Sequence, residues 1–193
     1  MPHRYKAWNK ETSKRRRSRY YTYIGDVNMS NKPFLIAICG CKNSGKTTLI
    51  EKLIPKFCKK GYKVATIKHD GHDFQGDVEG TDTYKHKKAG AYGTAIFSDN
   101  KFMIIKEDNT VDEEYFIKIF PEADIIFLEG FKGSNYPKLE IVRKGNSSVS
   151  VCNKNNLIGI LSDFEVFDDD YNLIDLNNID LIIEKILDYM SNF

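Results

Sequence analysis

Residues 38–53 read ICGCKNSGKTTLIEKL, and the fold turns on them. Gly40, Gly45, Lys46 and Thr47 stand in the spacing G-x-x-x-x-G-K-T. Glycines at those positions let backbone N–H groups point into a loop, and the helix that follows adds partial positive charge at its N-terminus. Such a loop cradles phosphates, with the lysine reaching their outer oxygens and the threonine hydroxyl ligating Mg2+. The flanks agree with this reading. Upstream, FLIAIC (34–39) is a short continuous apolar run, as in a strand buried on both faces of a parallel sheet. Downstream, Leu49, Leu53 and Phe57 share one helical face, lysines fill the last turn, and Gly61 is the expected stop. Pro55, inside that pattern, predicts a kink or a break. The expected phosphate-binding residues are Gly40, Cys41, Lys42, Asn43, Ser44, Gly45, Lys46, Thr47 and Thr48.

The rest of the chain extends the pattern. YKVATIK (62–68) is a second strand, and residues 69–82 carry too much glycine and aspartate for regular structure, so they form a long loop. A helix over 81–91 starts at Thr81 or Asp82 and ends at Gly90. GTAIFSDNKFMIIKE (93–107) gives two strands turning at Asp99-Asn100, and residues 111–120 a short helix. ADIIFLEGF (123–131) is another buried strand; KLEIVRK (138–144) and NLIGILSD (156–163) are two more. An amphipathic helix over 178–190 closes the chain. Strands alternating with helices after a glycine loop define an α/β fold of P-loop NTPase type, with a mainly parallel sheet flanked by helices.

The chain has 193 residues, 41% of them hydrophobic, and a formal charge of +2. Residues 1–28 hold eight basic side chains against Glu11 and Asp26, a net of +6, so the rest carries −4. Residues 1–32 are expected to be a basic, disordered extension, and 33–193 the nucleotide-binding domain. A mildly acidic body continues no basic face, so nucleic acid is not an expected partner. The apolar runs fall short of the ~20 residues a membrane span needs, and the start does not resemble a signal peptide. The cysteines, Cys39, Cys41, Cys58 and Cys152, show no C-x-x-C spacing. They are expected to be reduced thiols in a cytoplasmic protein, Cys39 as a small core residue.

Candidate site residues follow from strand ends. Glu129 ends the run DIIFLE, which brings a carboxylate to the C-terminal edge of a parallel strand, where such sheets bind ligands. It is the expected metal ligand beside Thr47, since Mg2+ takes hard oxygens from one or two carboxylates. Lys68 ends the second strand on the same edge, placed to meet a phosphate or an anionic substrate. Asp82 either caps its helix or turns to the metal. Asp77-Val78-Glu79-Gly80 has the D-x-x-G form of nucleotide switches, a match too short to carry weight alone. His69, His72 and His86 match no standard zinc spacing. Asn153 to Asn156 nearly make a guanine signature but precede an apolar run instead of following one. Asp163 follows such a run and is the better candidate to read a guanine, with a turn cap as the alternative.

At these residues the chain resembles a known family. KNSGKTTL (42–49), IKHDGHDF (67–74), GTDTYKHKKAGA (80–91) and FLEGFK (127–132) appear in the order and spacing of the molybdopterin-guanine dinucleotide biosynthesis protein B family, MobB. The resemblance spans residues 33–190. It implies a homodimeric, cytoplasmic P-loop protein that binds GTP and Mg2+ and hydrolyses GTP weakly, with Lys46 and Lys68 as catalytic cations. It further implies an adapter that assists the molybdopterin guanylyltransferase, with molybdopterin or molybdoenzyme targets as further partners. More distantly the layout is similar to dethiobiotin synthetase, which implies an alternative, an ATP-dependent ligase or kinase. In that comparison Thr47, Asp82 and Glu129 correspond to the metal-holding positions and Lys68 to a phosphate-contacting lysine. Lys42 lies two residues after Gly40, where relatives activated by a partner's lysine carry it one residue after, so that device is not expected here.

Overall fold

The computed structural model describes residues 33–166 and 172–192. The basic arm expected over residues 1–32 lies outside them. The described elements are β1 (Phe34–Gly40), α1 (Lys46–Lys59), β2 (Val64–Lys68), α2 (Asp82–Lys88), β3 (Gly93–Phe97), β4 (Phe102–Lys106), α3 (Glu113–Ile117), β5 (Ile125–Glu129), β6 (Lys138–Val142), β7 (Leu157–Ser162), β8 (Leu173–Asp175) and α4 (Ile179–Ser191).

Six strands form one sheet in the order β2-β5-β1-β6-β7-β8, and every pairing within it is parallel. Parallel neighbours bring their C-terminal ends to one edge. The register aligns Ile38 with Glu129 and Glu129 with Lys68, so the ends of β1, β5 and β2 meet there. The other strands, β3 and β4, pair antiparallel as a separate hairpin.

Each central strand splits its side chains between two cores. Ile36, Ile38, Ile125, Phe127, Leu139 and Ile141 face Leu49, Leu53 and Phe57 of α1 and Ile182, Ile183 and Ile186 of α4. Phe57 meets Phe127 edge-on at 5.6 Å between ring centroids, a geometry that adds to the area buried. The helix is not broken at Pro55; it runs through to Lys59. Proline removes one bond, to the carbonyl of Glu51. Glu51 is exposed, so water can take that carbonyl, while buried Leu49, Ile50, Leu53 and Phe57 hold both halves down.

On the opposite face, Ala37, Cys39, Ile67, Ile126, Leu128 and Cys152 form a smaller core, with Ile117 of α3, Phe131 and Tyr136 packed on it. Cys39 is fully buried, as its sequence position predicts, and its thiol donates to the Gly130 carbonyl at 2.8 Å. Hydrogen bonding with Cys39, then burial and the nearby Glu140 carboxylate, push the Cys152 thiol far above its ordinary range. Both are free thiols, and the shift keeps Cys152 in its thiol form.

This face also buries two charged side chains of β6 completely, Lys138 and Glu140. Lys138 Nζ donates to the carbonyls of Ser134 and Asn155, each at 2.7 Å. Glu140 accepts from Val151 N–H at 2.7 Å and from the Ser150 hydroxyl. Buried charge is tolerated only when so bonded, and these bonds stitch the loops after β5 and β6 onto the sheet. Among the described residues no helix is long and apolar enough to cross a membrane.

Candidate functional site

The loop between β1 and α1 is built by backbone conformations that a side chain resists. Gly40 has φ +134°, and a Cβ there would stand 2.6 Å from the Ile141 carbonyl oxygen and 2.8 Å from Ser44 Oγ. Gly45, at φ +101°, precedes the first turn of α1 and occupies its N-cap position without a side-chain cap. Asn43 also sits in the left-handed region, at φ 63°, which asparagine tolerates better than most residues. Asn146, from the loop after β6, donates its amide to the Lys42 carbonyl at 2.8 Å and braces the loop from outside. The Ser44 hydroxyl is buried within the loop without a hydrogen-bond partner.

Lys46 curls back over this loop. Its ammonium donates to the carbonyls of Cys41 at 2.7 Å and Gly40 at 3.2 Å. Beside it, Thr47 Oγ1 donates to Glu129 Oε1 at 2.9 Å. Lys68 Nζ stands 3.4 Å from the same carboxylate oxygen. Glu129 is 12% exposed and Lys68 56%, so the carboxylate is the fixed member and the ammonium the movable one. Three residues predicted from separate stretches therefore converge on one point at the sheet edge.

The donor set suits a hard divalent cation. Neighbouring ligands of an octahedral Mg2+ lie about 2.9 Å apart when its bonds are near 2.1 Å. Thr47 Oγ1 and Glu129 Oε1 have that separation.

Asp82 does not join them. Its carboxylate is 89% exposed and pairs with Lys85 of its own helix at 3.3 Å. Nor does Asp82 cap α2; Thr81 does, accepting from Tyr84 N–H at 3.3 Å. Asp77, the first residue of the D-x-x-G stretch, folds onto this helix start, accepting from Val78 N–H at 2.8 Å with Thr81 Oγ1 at 3.1 Å. The Thr83 hydroxyl first, then the Val78 N–H, Thr81 and the Lys87 charge, hold its carboxyl below the usual carboxylate range.

Asp163 lies just past β7, with both oxygens engaged. Oδ1 accepts from Lys144 N–H at 2.8 Å, and Oδ2 lies 3.6 Å from Arg143 Nε. Asn153 and Asn156 lie before β7, bonded within their own loop and to Asn135. Two residues of this region were not anticipated, Asn146 and Arg143. Arg143 directly follows the buried β6 strand, and a Cβ on Gly45 would lie 3.5 Å from its Nη1. For Arg143 the available signal was its position, a charged residue at the C-terminal end of a strand on the ligand edge, as for Glu129 and Lys68.

Comparison with known proteins agrees with this architecture. The family model described as molybdopterin guanine dinucleotide synthesis protein B matches residues 35–163. The chain is 30% identical to the molybdopterin-guanine dinucleotide biosynthesis adapter protein of Haemophilus influenzae, aligned over 86% of this chain and 95% of that protein. It is 31% identical to the protein of the same name from Escherichia coli, over 81% of this chain and 93% of that one. The crystal structure of Bacillus subtilis MobB superposes with a TM-score of 0.63 at 25% identity, covering 78% of this chain and 96% of that chain.

Proposed function

The chain belongs to the molybdopterin guanine dinucleotide synthesis protein B family, and from that premise we propose that it is the pathway's adapter and acts as a GTP- and Mg2+-binding one. It assists the conversion of molybdopterin to molybdopterin guanine dinucleotide. The observation that carries the nucleotide reading is the meeting of Thr47, Glu129 and Lys68 beside the glycine loop.

In this reading the backbone of residues 40–48 wraps the phosphates, and Lys46 exchanges its two carbonyl partners for phosphate oxygens. Thr47 and Glu129 hold Mg2+, which when bound neutralises charge on the β and γ phosphates. Lys68 pairs with Glu129 and turns its ammonium to the outermost phosphate. Hydrolysis by this set is weak, in keeping with an adapter that holds the nucleotide for a molybdopterin guanylyltransferase. Asp82, exposed on α2 and paired with Lys85, has no part in this set.

The protein acts in the cytoplasm as a homodimer in this proposal. The hairpin supports the dimer: Phe97, Phe102 and Ile104 lie on one of its faces and are 84%, 68% and 64% exposed. A contiguous apolar face of this kind is a marker of association.

Isothermal titration with GTP and with ATP, each with and without Mg2+, tests the reading. GTP binding that Mg2+ strengthens at least tenfold supports it. Absence of GTP binding under both conditions refutes it.

A further inference from the structure

We infer that Arg143 reads the purine of the bound nucleotide and that Asp163 positions it. The inference rests on the proposed nucleotide site and extends it to the base. Strand order sets the direction. Glu129 and Lys68 end β5 and β2 on one side of β1, whereas Arg143 and Asp163 follow β6 and β7 on the other. A nucleotide whose outer phosphates meet Thr47 and Glu129 therefore runs its base toward β6 and β7.

There the Arg143 guanidinium stands beside Gly45, 3.5 Å from where a Cβ would be, and is 51% exposed. Its Nε faces Asp163 Oδ2 at 3.6 Å, and Asp163 is fixed in turn by the Lys144 N–H at 2.8 Å. Asp163 offsets the arginine charge without the Mg2+ proposed beside Glu129, which makes the spot a poorer one for a further phosphate. The pair engages Nε and leaves the outer guanidinium nitrogens without a hydrogen bond among the described residues. Two such donors in a fixed fork match the O6 and N7 acceptors of guanine; adenine presents a donor in place of O6. The pair therefore selects guanine.

The experiment is titration of the full chain, with Mg2+, against GTP, 7-deaza-GTP and ATP. The first analogue lacks the N7 acceptor, and ATP lacks the O6 acceptor. Wild type is expected to prefer GTP over each by roughly tenfold. Arg143→Met, which keeps the apolar stem, should lower GTP affinity by about that factor and bring the three affinities together. Asp163→Asn should lose part of the preference in the same pattern, while Arg143→Lys, a point charge without the fork, should not restore it. Equal weakening of all three ligands in Arg143→Met would assign the residue to phosphate and overturn base reading. Wild type that binds GTP and 7-deaza-GTP equally overturns it without any variant. If wild type binds none of the three, the nucleotide site itself fails, and the inference with it.

Discussion

Thr47 Oγ1 and Glu129 Oε1 are joined at 2.9 Å although 82 residues separate them in the chain. The parallel pairing of β1 with β5, with Ile38 opposite Glu129, is what brings the carboxylate beside the start of α1. If the two oxygens serve one cation, they act as a unit. Thr47→Ala and Glu129→Gln should each reduce the Mg2+-dependent part of GTP affinity about tenfold or more. The double variant should lose little beyond the worse single, because residues sharing one partner are not additive. Strictly additive losses in a titration cycle would separate their roles.

Lys46→Ala is expected to abolish GTP binding while the circular dichroism spectrum and melting temperature stay close to wild type. Among the described residues its ammonium bonds only to the two loop carbonyls of Gly40 and Cys41, which water can serve once the side chain is gone. Wild-type affinity in a folded variant would remove the phosphates from this loop.

Phe97 and Ile104 share the exposed face of the hairpin with Phe102. Substituting both by glutamate should convert a dimer to a monomer in light scattering and leave the monomer's fold intact, since neither side chain belongs to the buried cores. A charge-bearing dimer of unchanged mass would locate the interface elsewhere.

The start of α2 should respond to acid. Asp77 is held below its ordinary value of 3.8, first by the Thr83 hydroxyl. A depressed carboxyl stabilises the fold fully above its unfolded value and loses that contribution as pH falls through the folded one. Amide resonances of Val78, Thr81 and Tyr84 should therefore stay constant down to about pH 4 and move together below it. Asp77→Asn should abolish that acid transition. A shift centred above pH 4 would contradict the assigned sign.

Periodicity carried most of the architecture. The apolar run before Gly40 and the run ending at Glu129 could be read as buried strands because a parallel sheet buries both faces. The runs ending at Lys68 and Asp163 read as strands, the first of them at the sheet edge with only Ile67 buried. The three-residue strand Leu173–Asp175 went unread, since so short a segment has no period to detect. Lys138 and Glu140 alternate with Leu139 and Ile141, a pattern that ordinarily marks a solvent face. Both are buried because the loops before and after β6 close over them, and the alternation within the strand does not announce such a cover.

At the site, residues fixed by strand ends were legible and residues fixed by side-chain packing were not. Lys46, Thr47, Lys68 and Glu129 follow from the loop motif and the ligand edge, and three of them meet around one carboxylate oxygen. By sequence Asp82 can serve as a cap or as a metal ligand; in the structure the cap is Thr81 and the aspartate pairs with Lys85. Sequence spacing cannot choose between adjacent residues at a helix start, because a rotation of one position decides which oxygen meets the free N–H groups. Arg143 directly follows β6, but its nearness to Gly45 is a tertiary contact that no local pattern encodes.

The ammonium of Lys138 has a kinetic consequence. It grips the carbonyl of Ser134 in one loop and that of Asn155 in another. Asn153 N–H also donates to Lys132 across the same gap at 3.0 Å. Neither loop can lift alone without stranding a positive charge against the apolar sheet, so the two must open as one door. Native-state hydrogen exchange should give the amides of Asn153 and Lys138, the latter bonded to the Asn156 carbonyl, a single shared opening free energy. Lys138→Met should let them exchange independently, turning one cooperative motion of this face into two.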